Sequence, residues 1–419
     1  MAGARRGITM TPIFILEDTK VDQLYPLTYY RPPFLLRCGA GDLLDRMMLF
    51  IQRPIAGLVV RDTMAPRVRM ATKLRVNGPL RAKHGAIFIS ARYLMTKPFP
   101  EPPPDTAGLV GHDIAWIHLS PKNLAGLDMR NIVRTKTLTD VLPRVRVSAA
   151  EAELIEYPWD LLRHNSQALR DDFSRRTPGV ASTPMPGSHL LAPENMCIDK
   201  DVVIGPGVVL DARHGPIMIE SRTEIHANSI ITGPVAIGAQ SIIRAGTCIR
   251  ENTSIGPNCR IGGEISNCIF LGNSNKQHDG FLGHTLVGEW VNIGAGTTGS
   301  NLKNTYGEVR MPINGADVAS GLTFLGSVIG DHAKLGIGTY LSTGSVIGFS
   351  SHVLVSRPPK FVPSFSWLDE QGMKRIDFNK AVAIAQIAME RRNLAFTAEE
   401  HELFVRIAEK WSAVEARPQ

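Results

Sequence analysis

Isoleucine recurs at every sixth position over one long stretch of this chain. The unbroken series comprises Ile219, Ile225, Ile231, Ile237, Ile243, Ile249, Ile255 and Ile261. An amphipathic helix would space its apolar residues by three and four, and a half-buried strand by two. A spacing of six instead indicates short strands joined by tight turns, with one branched aliphatic side chain per strand pointing inward. Three such strands make one triangular coil, and stacked coils bury a continuous aliphatic ladder. The sequence therefore predicts a left-handed parallel β-helix built from hexapeptide repeats.

The repeat is interrupted between about Gly262 and Val328. It returns as Ile329, Leu335, Leu341, Ile347 and Val353. In a solenoid an insertion leaves the stack as a loop on one face, and that face often binds ligand. The interrupted stretch is polar, rich in glycine and supplied with histidine and lysine. We therefore expect the chemistry of the chain to lie there.

The 419 residues are too many for one compact core and predict two domains with a tail. Residues 1–185 are expected to form a mixed α/β, Rossmann-like domain that ends in a linker over Arg175–Gly187. Its predicted elements are strands at Ile13–Leu16, Gly57–Val60, Ala86–Ile89 and Ile114–Ile117, with a helix over Asp42–Ile51.

Residues 186–357 are assigned to the β-helix, which the run Arg357–Lys360 is expected to end. Residues 358–419 are assigned to a helical tail. One helix is predicted to start at Asp377, and a second is indicated by Thr397 with Glu400 three residues later, the pattern of a capping box.

Composition excludes several classes of function. The formal net charge of +7 is spread along the chain, and no nucleic-acid-binding motif accompanies it, so anionic small molecules are the favoured ligands. The five cysteines form no C-x-x-C pair, which is typical of a reducing cytoplasm. No segment approaches the roughly 18 apolar residues of a membrane helix. We expect a cytoplasmic protein without nucleic-acid or membrane partners.

Several short motifs are shared with a known family. They are Leu24-x-Pro26-Leu27, Arg31-Pro32, Leu36-Arg37-x-Gly39, Tyr157-Pro158-Trp159-Asp160 and Gly288-Glu289-Trp290-Val291-Asn292. With these motifs the chain resembles the bifunctional enzymes that acetylate glucosamine-1-phosphate and then couple the product to UTP. It resembles more closely a shortened, sugar nucleotidyltransferase-like variant group. The resemblance implies a nucleotidyltransferase-like domain before the β-helix, acetyl-CoA or another acyl-CoA as co-substrate, a homotrimer, and a role in making cell-envelope precursors.

The resemblance also implies roles for individual residues. His278 matches the catalytic histidine, and Asn292 and Asn301 match asparagines that contact sugar and acetyl-CoA. Ala295 matches a position beside the coenzyme, and Arg244 matches an arginine that holds the sugar phosphate. The chemistry suits these residue types, because histidine is an effective general base near neutral pH and arginine grips phosphate with two bonds. An oriented asparagine such as Asn301 can stabilise a developing oxyanion.

Two lysines in the same stretch are further candidates. Lys276 is a candidate substrate ligand and Lys303 a candidate coenzyme ligand, although both could also meet only water. Alternatives exist for the other positions as well. His278 could be a loop histidine, Asn292 and Asn301 could serve only as turn-formers, and Arg244 could be an ordinary exposed residue.

The chain departs from the family pattern at three places in the β-helix. Phe281 replaces a tyrosine, a lysine is missing near Ser266, and the family's Asn-Tyr-Asp-Gly is replaced by the run from Asn301 to Asn304. The reaction class is therefore implied, whereas the sugar acceptor is left open.

The N-terminal domain departs further, because no glycine lies between Gly7 and Gly39 to form a phosphate-binding loop. Asp18 is a candidate Mg²⁺ ligand if nucleotidyl transfer is retained, and Arg31 and Arg37 are candidate phosphate ligands. The alternative is that Glu17 and Asp18 simply end a strand and the arginines pair locally. We expect this domain to be degenerate.

Two functions follow as hypotheses. The first is an acyl-CoA-dependent transferase that acts on an amino-sugar phosphate or sugar nucleotide, with or without nucleotidyl transfer in the N-terminal half. The second is a non-catalytic sugar-nucleotide-binding or scaffold protein with a degenerate nucleotidyltransferase domain.

Overall fold

The computed structural model describes residues 10–79, 83–125, 127 and 137–415. The chain divides into two compact units. The first unit contains the described residues up to Val21, Arg31–Leu35 and Leu43–Ile155. The second contains Asp22–Tyr30, Leu36–Asp42 and the described residues from Glu156 onward.

The first unit is built on a six-stranded mixed sheet. In spatial order its strands are Ile55–Val59, Ile13–Leu16, Ala86–Ser90, Asp113–Leu119, Thr106–Val110 and Arg146–Ala149. The first three run parallel to one another, and Asp113–Leu119 runs antiparallel to its neighbours. All four strands predicted in this region are present, because each is a short apolar run with turn residues on either side.

Helices are few among the residues that the structure describes. The α-helices described are Leu43–Ile51, Ala65–Ala71, Pro121–Leu124, Thr137–Val141, Pro158–Ser174, Phe378–Glu390 and Ala398–Glu415. Short 3₁₀ turns cover Val21–Leu24, Pro33–Leu35, Leu142–Arg144 and Pro193–Asn195. Small two-stranded pairings join Arg37–Cys38 to Gly41–Asp42 and Tyr93–Leu94 to Glu153–Leu154.

The second unit is a parallel β-helix with three faces. The first face comprises Gly179–Val180, Met196–Ile198, Ile217–Ile219, Val235–Ile237, Thr253–Ile255, Ile269–Gly272, Leu286–Glu289, Val328–Ile329, Val346–Ile347 and Phe361–Val362. The second comprises Val203–Ile204, Glu224–Ile225, Ile242–Ile243, Arg260–Ile261, Asn275–Lys276, Asn292–Ile293, Lys334–Leu335, His352–Val353, Ser366–Asp369 and the antiparallel Gly372–Arg375. The third comprises His189–Leu191, Val209–Asp211, Ile230–Thr232, Cys248–Ile249, Glu264–Ser266 and Phe281–Gly283, followed by the pair Thr298–Gly299 and Tyr340–Leu341.

The predicted isoleucine ladder forms the core of this unit. The eight isoleucines from Ile219 to Ile261 are each at most 1% exposed. Burying such a side chain contributes roughly 1.5–3 kcal/mol relative to leaving it in water. The inward column is therefore what holds each short strand in the stack, and the predicted fold class is confirmed.

The expected interruption of the repeat is smaller than the sequence indicated. Strands continue in register through the region, since Arg260 pairs with Asn275 and Asn275 with Asn292. The six-residue period is absent from this part of the sequence because these coils have shorter corners, although their strands still stack. The chain leaves the stack only after Thr298–Gly299, where a hairpin of Arg310–Ile313 and Ala316–Ala319 is inserted.

Both ends of the β-helix also extend beyond the sequence-based expectation. Gly179–Val180, in the expected linker, pairs in parallel with Cys197–Ile198. The prediction that Arg357–Lys360 ends the solenoid is wrong, because Phe361–Val362 and Ser366–Asp369 extend two of its faces. A Pro-Pro pair can occupy a corner, where no ladder hydrogen bond is needed.

Two of the faces are covered by helices of the same unit. Leu169, from the helix Pro158–Ser174, packs with Cys197, Met218 and Ala236 of the first face. On the second face, the Lys380 ammonium lies 3.9 Å from the ring centroid of Trp367. The two C-terminal helices begin as predicted, with Asp377 as one N-cap and reciprocal bonds between Thr397 and Glu400 at the other.

Candidate functional site

Turns after the second-face strands stack along one edge of the β-helix. This edge, which we call the His278 edge, is formed by Arg244, Gly262–Gly263, Gln277–His278 and Gly294–Ala295. Backbone bonds hold the turns in register, with Arg244 N donating to Ile261 O at 2.8 Å and Gly296 N to Asp279 O at 3.2 Å. Four of the predicted residues, namely Arg244, Lys276, His278 and Ala295, thus come together although 51 positions separate the first from the last.

His278 is exposed at this edge, on a turn that is fixed from within. Its carbonyl oxygen accepts a hydrogen bond of 2.6 Å from the Lys276 ammonium. The preceding residue, Gln277, accepts two bonds through its side-chain oxygen from the guanidinium of Arg244. The imidazole is therefore presented to solvent from a rigid backbone, as a general base requires.

Lys276 lies inside the coil rather than on its surface. It pairs with Ile261 in the ladder and is 1% exposed. The ammonium donates to Gly262 O at 3.1 Å and to His278 O. Burial lowers the pKa of Lys276 from 10.5 to about 8, and the nearby Asp279 and Cys268 oppose that shift.

The remaining candidates on the second face and its edge are less enclosed. Asn292 is exposed at the start of its strand and lies 3.4 Å from the Asn275 amide nitrogen. Ala295 is half-buried, and its carbonyl oxygen accepts from Gly338 N at 2.8 Å. The small side chain of Ala295 leaves the edge open above the His278 turn.

Asn301 and Lys303 lie at the other end of the third face, which we call the Asn301 edge. The strand Phe281–Gly283 separates this edge from His278 along the chain. Asn301 Nδ2 lies 2.9 Å from His284 Nδ1, and burial lowers the pKa of His284 below its usual value. Lys303 donates to Glu308 O at 3.0 Å. A single chain thus places the predicted base and the predicted oxyanion ligand at opposite ends of one face.

Sequence reasoning missed Gln277 and Gly263 at the His278 edge. Gly263 has a φ of +79°, and a Cβ there would lie 2.9 Å from both the Lys276 ammonium and the His278 carbonyl oxygen. The Gly-Gly pair directly after an inward isoleucine was the available signal, because it marks a corner that must admit another group.

The first unit contains a cavity of about 270 Å³ at the carboxyl ends of Ile13–Leu16 and Ala86–Ser90. Ligands of open α/β sheets bind at this end of the strands. Asp18, Lys20, Arg92 and Asp113 line it together with apolar side chains such as Phe88. Asp18 was predicted here, whereas Arg92 and Asp113 lie far along the chain and could not be linked to it from sequence.

The acidic groups of this cavity are paired with internal cations. Arg92 is 1% exposed and donates to Asp18 Oδ2 at 2.8 Å and to Asp113 Oδ2 at 2.9 Å. Lys20 contacts the same Asp113 oxygen at 2.8 Å. Burial favours a high pKa for Asp113, but the bonds from Lys20 and Arg92 hold that pKa below its usual value.

The other two predicted nucleotide-binding residues, Arg31 and Arg37, make contacts within the protein. Arg31 is 2% exposed, and its carbonyl oxygen lies 3.5 Å from the Arg61 guanidinium. Arg61 also contacts the buried carboxylate of Glu17 at 2.9 Å. Burial raises the pKa of Glu17, and Arg61 opposes that shift. Arg37 belongs to the second unit and donates to the carbonyl oxygen of Ala40.

These residues do not fit a Mg²⁺ site. Of the three carboxylates that line the cavity, Asp18 and Asp113 are engaged by Arg92 and Glu17 by Arg61, so that arginines supply the positive charge that a metal would bring. Among the residues that the structure describes, no three His, Cys, Asp or Glu side chains are grouped closely enough to hold a metal ion.

The described helices include none that is long and apolar enough to cross a membrane.

Comparison with known proteins finds similarity over part of the chain. Residues 13–180 match the family model described as "Sugar nucleotidyl transferase". The chain is 33% identical over 140 residues to a bifunctional sugar-1-phosphate nucleotidylyltransferase/acetyltransferase of Sulfurisphaera tokodaii, covering 32% of this chain and 34% of that protein. It is 30% identical over 202 residues to the bifunctional protein GlmU of Methanococcus aeolicus, covering 47% of this chain and 41% of that protein.

Among solved structures, an Arabidopsis UDP-N-acetylglucosamine acyltransferase is similar with 12% identity and a TM-score of 0.25, covering 56% of this chain and 93% of that chain. The chain spans about a third to two fifths of the length of the curated relatives named above. On the family match and these sequence relatives, residues 13–180 are similar to sugar nucleotidyl transferases, and the chain is similar over part of its length to GlmU proteins.

Proposed function

We propose that this chain is a transferase that moves an acyl group from acyl-CoA to the amine of an amino-sugar phosphate or sugar nucleotide. The observation that carries the proposal is the His278 edge, where an exposed histidine stands on an internally fixed turn beside Arg244 and Ala295. Relatives named as nucleotidylyltransferase/acetyltransferase support the reaction class.

The proposed reaction assigns a role to each group. His278 takes a proton from the substrate ammonium, the freed amine attacks the thioester carbon, a C–N bond forms, and the C–S bond breaks. The attacking nitrogen loses a second proton as the amide forms; the departing coenzyme thiolate takes up one of the two protons, and His278 releases the other to solvent. Arg244 holds the sugar phosphate and Asn292 a sugar hydroxyl. Ala295 leaves room for the coenzyme.

Because one chain places His278 and Asn301 at opposite ends of the third face, we propose that the site is completed in a homotrimer. Asn301 and Lys303 of one protomer then face His278 of the next, as the oxyanion donor and a coenzyme contact. Apolar groups on the outer surface of the third face support this assembly, since Ile230 is 46% and Tyr340 51% exposed. The product class fits a cell-envelope precursor.

The test is to incubate the protein with glucosamine-1-phosphate and acetyl-CoA and to follow thiol release. We expect release by the wild type and a fall of about 10²–10⁴-fold in His278→Ala, the usual contribution of a general base. His226→Ala is the matched control, because His226 occupies the same edge three coils earlier. Equal rates in the wild type and His278→Ala would contradict the assignment of the base.

For the first unit we propose sugar-nucleotide binding without nucleotidyl transfer as a second function. The bridge from Arg92 to Asp18 and Asp113 favours it, since the carboxylates are already neutralised. A UDP-sugar should raise the thermal midpoint equally with Mg²⁺ and with EDTA. Formation of UDP-sugar from UTP and a sugar-1-phosphate would instead establish nucleotidyl transfer.

A further inference from the structure

Lys276 breaks the most regular feature of the molecule. Its position in the inward column lies between Ile261 and Ile293, and the column continues through Leu335 and Val353. These neighbours are at most 3% exposed. An aliphatic residue would satisfy every packing demand of that position, so a lysine there is costly for folding alone.

The ammonium of Lys276 is held in a small pocket of backbone at the His278 edge. Two carbonyl oxygens, of Gly262 and His278, accept its hydrogen bonds at 3.1 and 2.6 Å. Gly263 closes a third side. Its φ of +79° favours glycine, and a Cβ there would lie 2.6 Å from the Gly280 carbonyl oxygen and 2.9 Å from both the His278 carbonyl oxygen and the ammonium nitrogen.

This pocket connects the interior of the coil to the turn that bears the proposed base. The other supports of that turn act from outside the coil, through Arg244 on Gln277 and through Gly296 on Asp279. Only the Lys276 bond, among the contacts described for the turn, reaches the backbone of His278 itself from the core. A charge-assisted bond is about twice as strong as a neutral one, so it restrains the carbonyl firmly.

We propose that Lys276 is a positioning residue that fixes the backbone of the His278 turn from inside the β-helix and so holds the imidazole in its reactive orientation. Lys276 itself touches no substrate, because its nitrogen is enclosed by protein. This inference rests on the proposed acyl transfer at His278, and it changes the predicted role of Lys276 from substrate ligand to internal support.

The experiment uses the full chain with Lys276→Ile, which restores the residue type of the ladder and is therefore expected to fold. Lys276→Gln retains a donor. Lys334→Met is the matched control, since the Lys334 ammonium also donates to two carbonyl oxygens, of Trp290 and His332, but away from the His278 turn. The readouts are the thermal midpoint, kcat and KM for thiol release, and hydrogen exchange of the amides of residues 277–280.

We expect Lys276→Ile to keep or raise the thermal midpoint while kcat falls by about tenfold to a hundredfold, the effect of a small misplacement of a catalytic group. KM should change by less than about twofold, because the ligand contacts are untouched. Exchange at residues 277–280 should quicken, Lys276→Gln should recover part of both effects, and Lys334→Met should show neither.

Wild-type kcat and wild-type exchange in Lys276→Ile would overturn the inference. A loss of kcat with unchanged exchange would also overturn it, because the lysine would then act other than through the turn. If the wild type transfers no acyl group, the proposed function fails on its own, and hydrogen exchange still decides whether Lys276 supports the turn.

Discussion

At the scale of single residues, Lys276 shows how a buried cation can be tolerated. Its hydrogen bonds replace part of the hydration that it loses, yet its pKa of about 8 records a remaining cost of holding the charge. His284 shows the same effect, since burial lowers its pKa as well. Desolvation therefore dominates the electrostatics at both ends of the third face.

The lowered pKa of Lys276 predicts a pH-dependent stability. Between about pH 8 and 10.5 the unfolded chain binds more protons than the folded chain at this group, so its destabilising effect declines as the pH rises. Lys276→Ile should therefore exceed the wild type in free energy of unfolding by up to roughly 3 kcal/mol at pH 7, and by progressively less towards pH 10.5.

Urea unfolding of both proteins at pH 7 and pH 10 measures this difference. Taking the difference between the two proteins cancels the titration of the cysteines and other lysines. A gap that is constant or widens with pH would contradict the lowered pKa.

At the scale of elements, each coil depends on its one inward aliphatic side chain per strand. Ile249 is fully buried, and Ile249→Ala should lower the free energy of unfolding by about 2–5 kcal/mol through lost burial and a residual cavity. Ile337 is 80% exposed at a corner, so Ile337→Ala should change it by less than about 0.5 kcal/mol. Chemical denaturation checks both, and equal effects would mean that the ladder does not carry the stability.

The ion pairs of the first unit offer a second matched comparison. Arg92→Met leaves the partly buried Asp18 and Asp113 without their shared cation and should cost about 3–5 kcal/mol. Lys97 and Glu151 form a pair whose side chains are 75% and 92% exposed, and Lys97→Met should cost less than about 1 kcal/mol. Thermal unfolding compares the two variants. A loss of stability in Arg92→Met as small as that in Lys97→Met would show that the Arg92 cation does not stabilise this unit.

The elements that could be predicted from sequence are those whose signal is local. The ladder from Ile219 to Ile261 repeats in one dimension, so its spacing alone indicates the coil. The continuation through Asn275–Lys276 was not visible, because a lysine is expected on the surface and the corners there are shorter. The contacts of Asp18 with Arg92 were likewise hidden, since they depend on strand order in the sheet and not on sequence distance.

At the scale of the whole molecule, we expect self-association through the third face, where Ile230 and Tyr340 are exposed. If it forms the trimer interface, Ile230→Asp combined with Tyr340→Asp should give a folded monomer, because unpaired carboxylates are costly to bury. Thiol release should fall with the loss of trimer, since His278 and Asn301 would no longer meet. Val203→Asp, at a comparably exposed position of the second face, is the control.

Sedimentation velocity reports the mass of each variant, and circular dichroism reports its fold. A wild type that sediments as a monomer would contradict the proposal of a site shared between protomers. A double variant that remains trimeric would contradict the assignment of the third face as the interface.

The corners of the β-helix have a consequence for how such a chain can change. Strands stay in register although the number of residues in a coil varies, and the hairpin after Thr298–Gly299 leaves and rejoins the stack between Asn292 and Lys334, which still pair. The number of residues in a corner can thus change in evolution while the ladder of buried side chains preserves the architecture. A corner away from the His278 and Asn301 edges is accordingly a natural place to graft a foreign peptide for display or tethering.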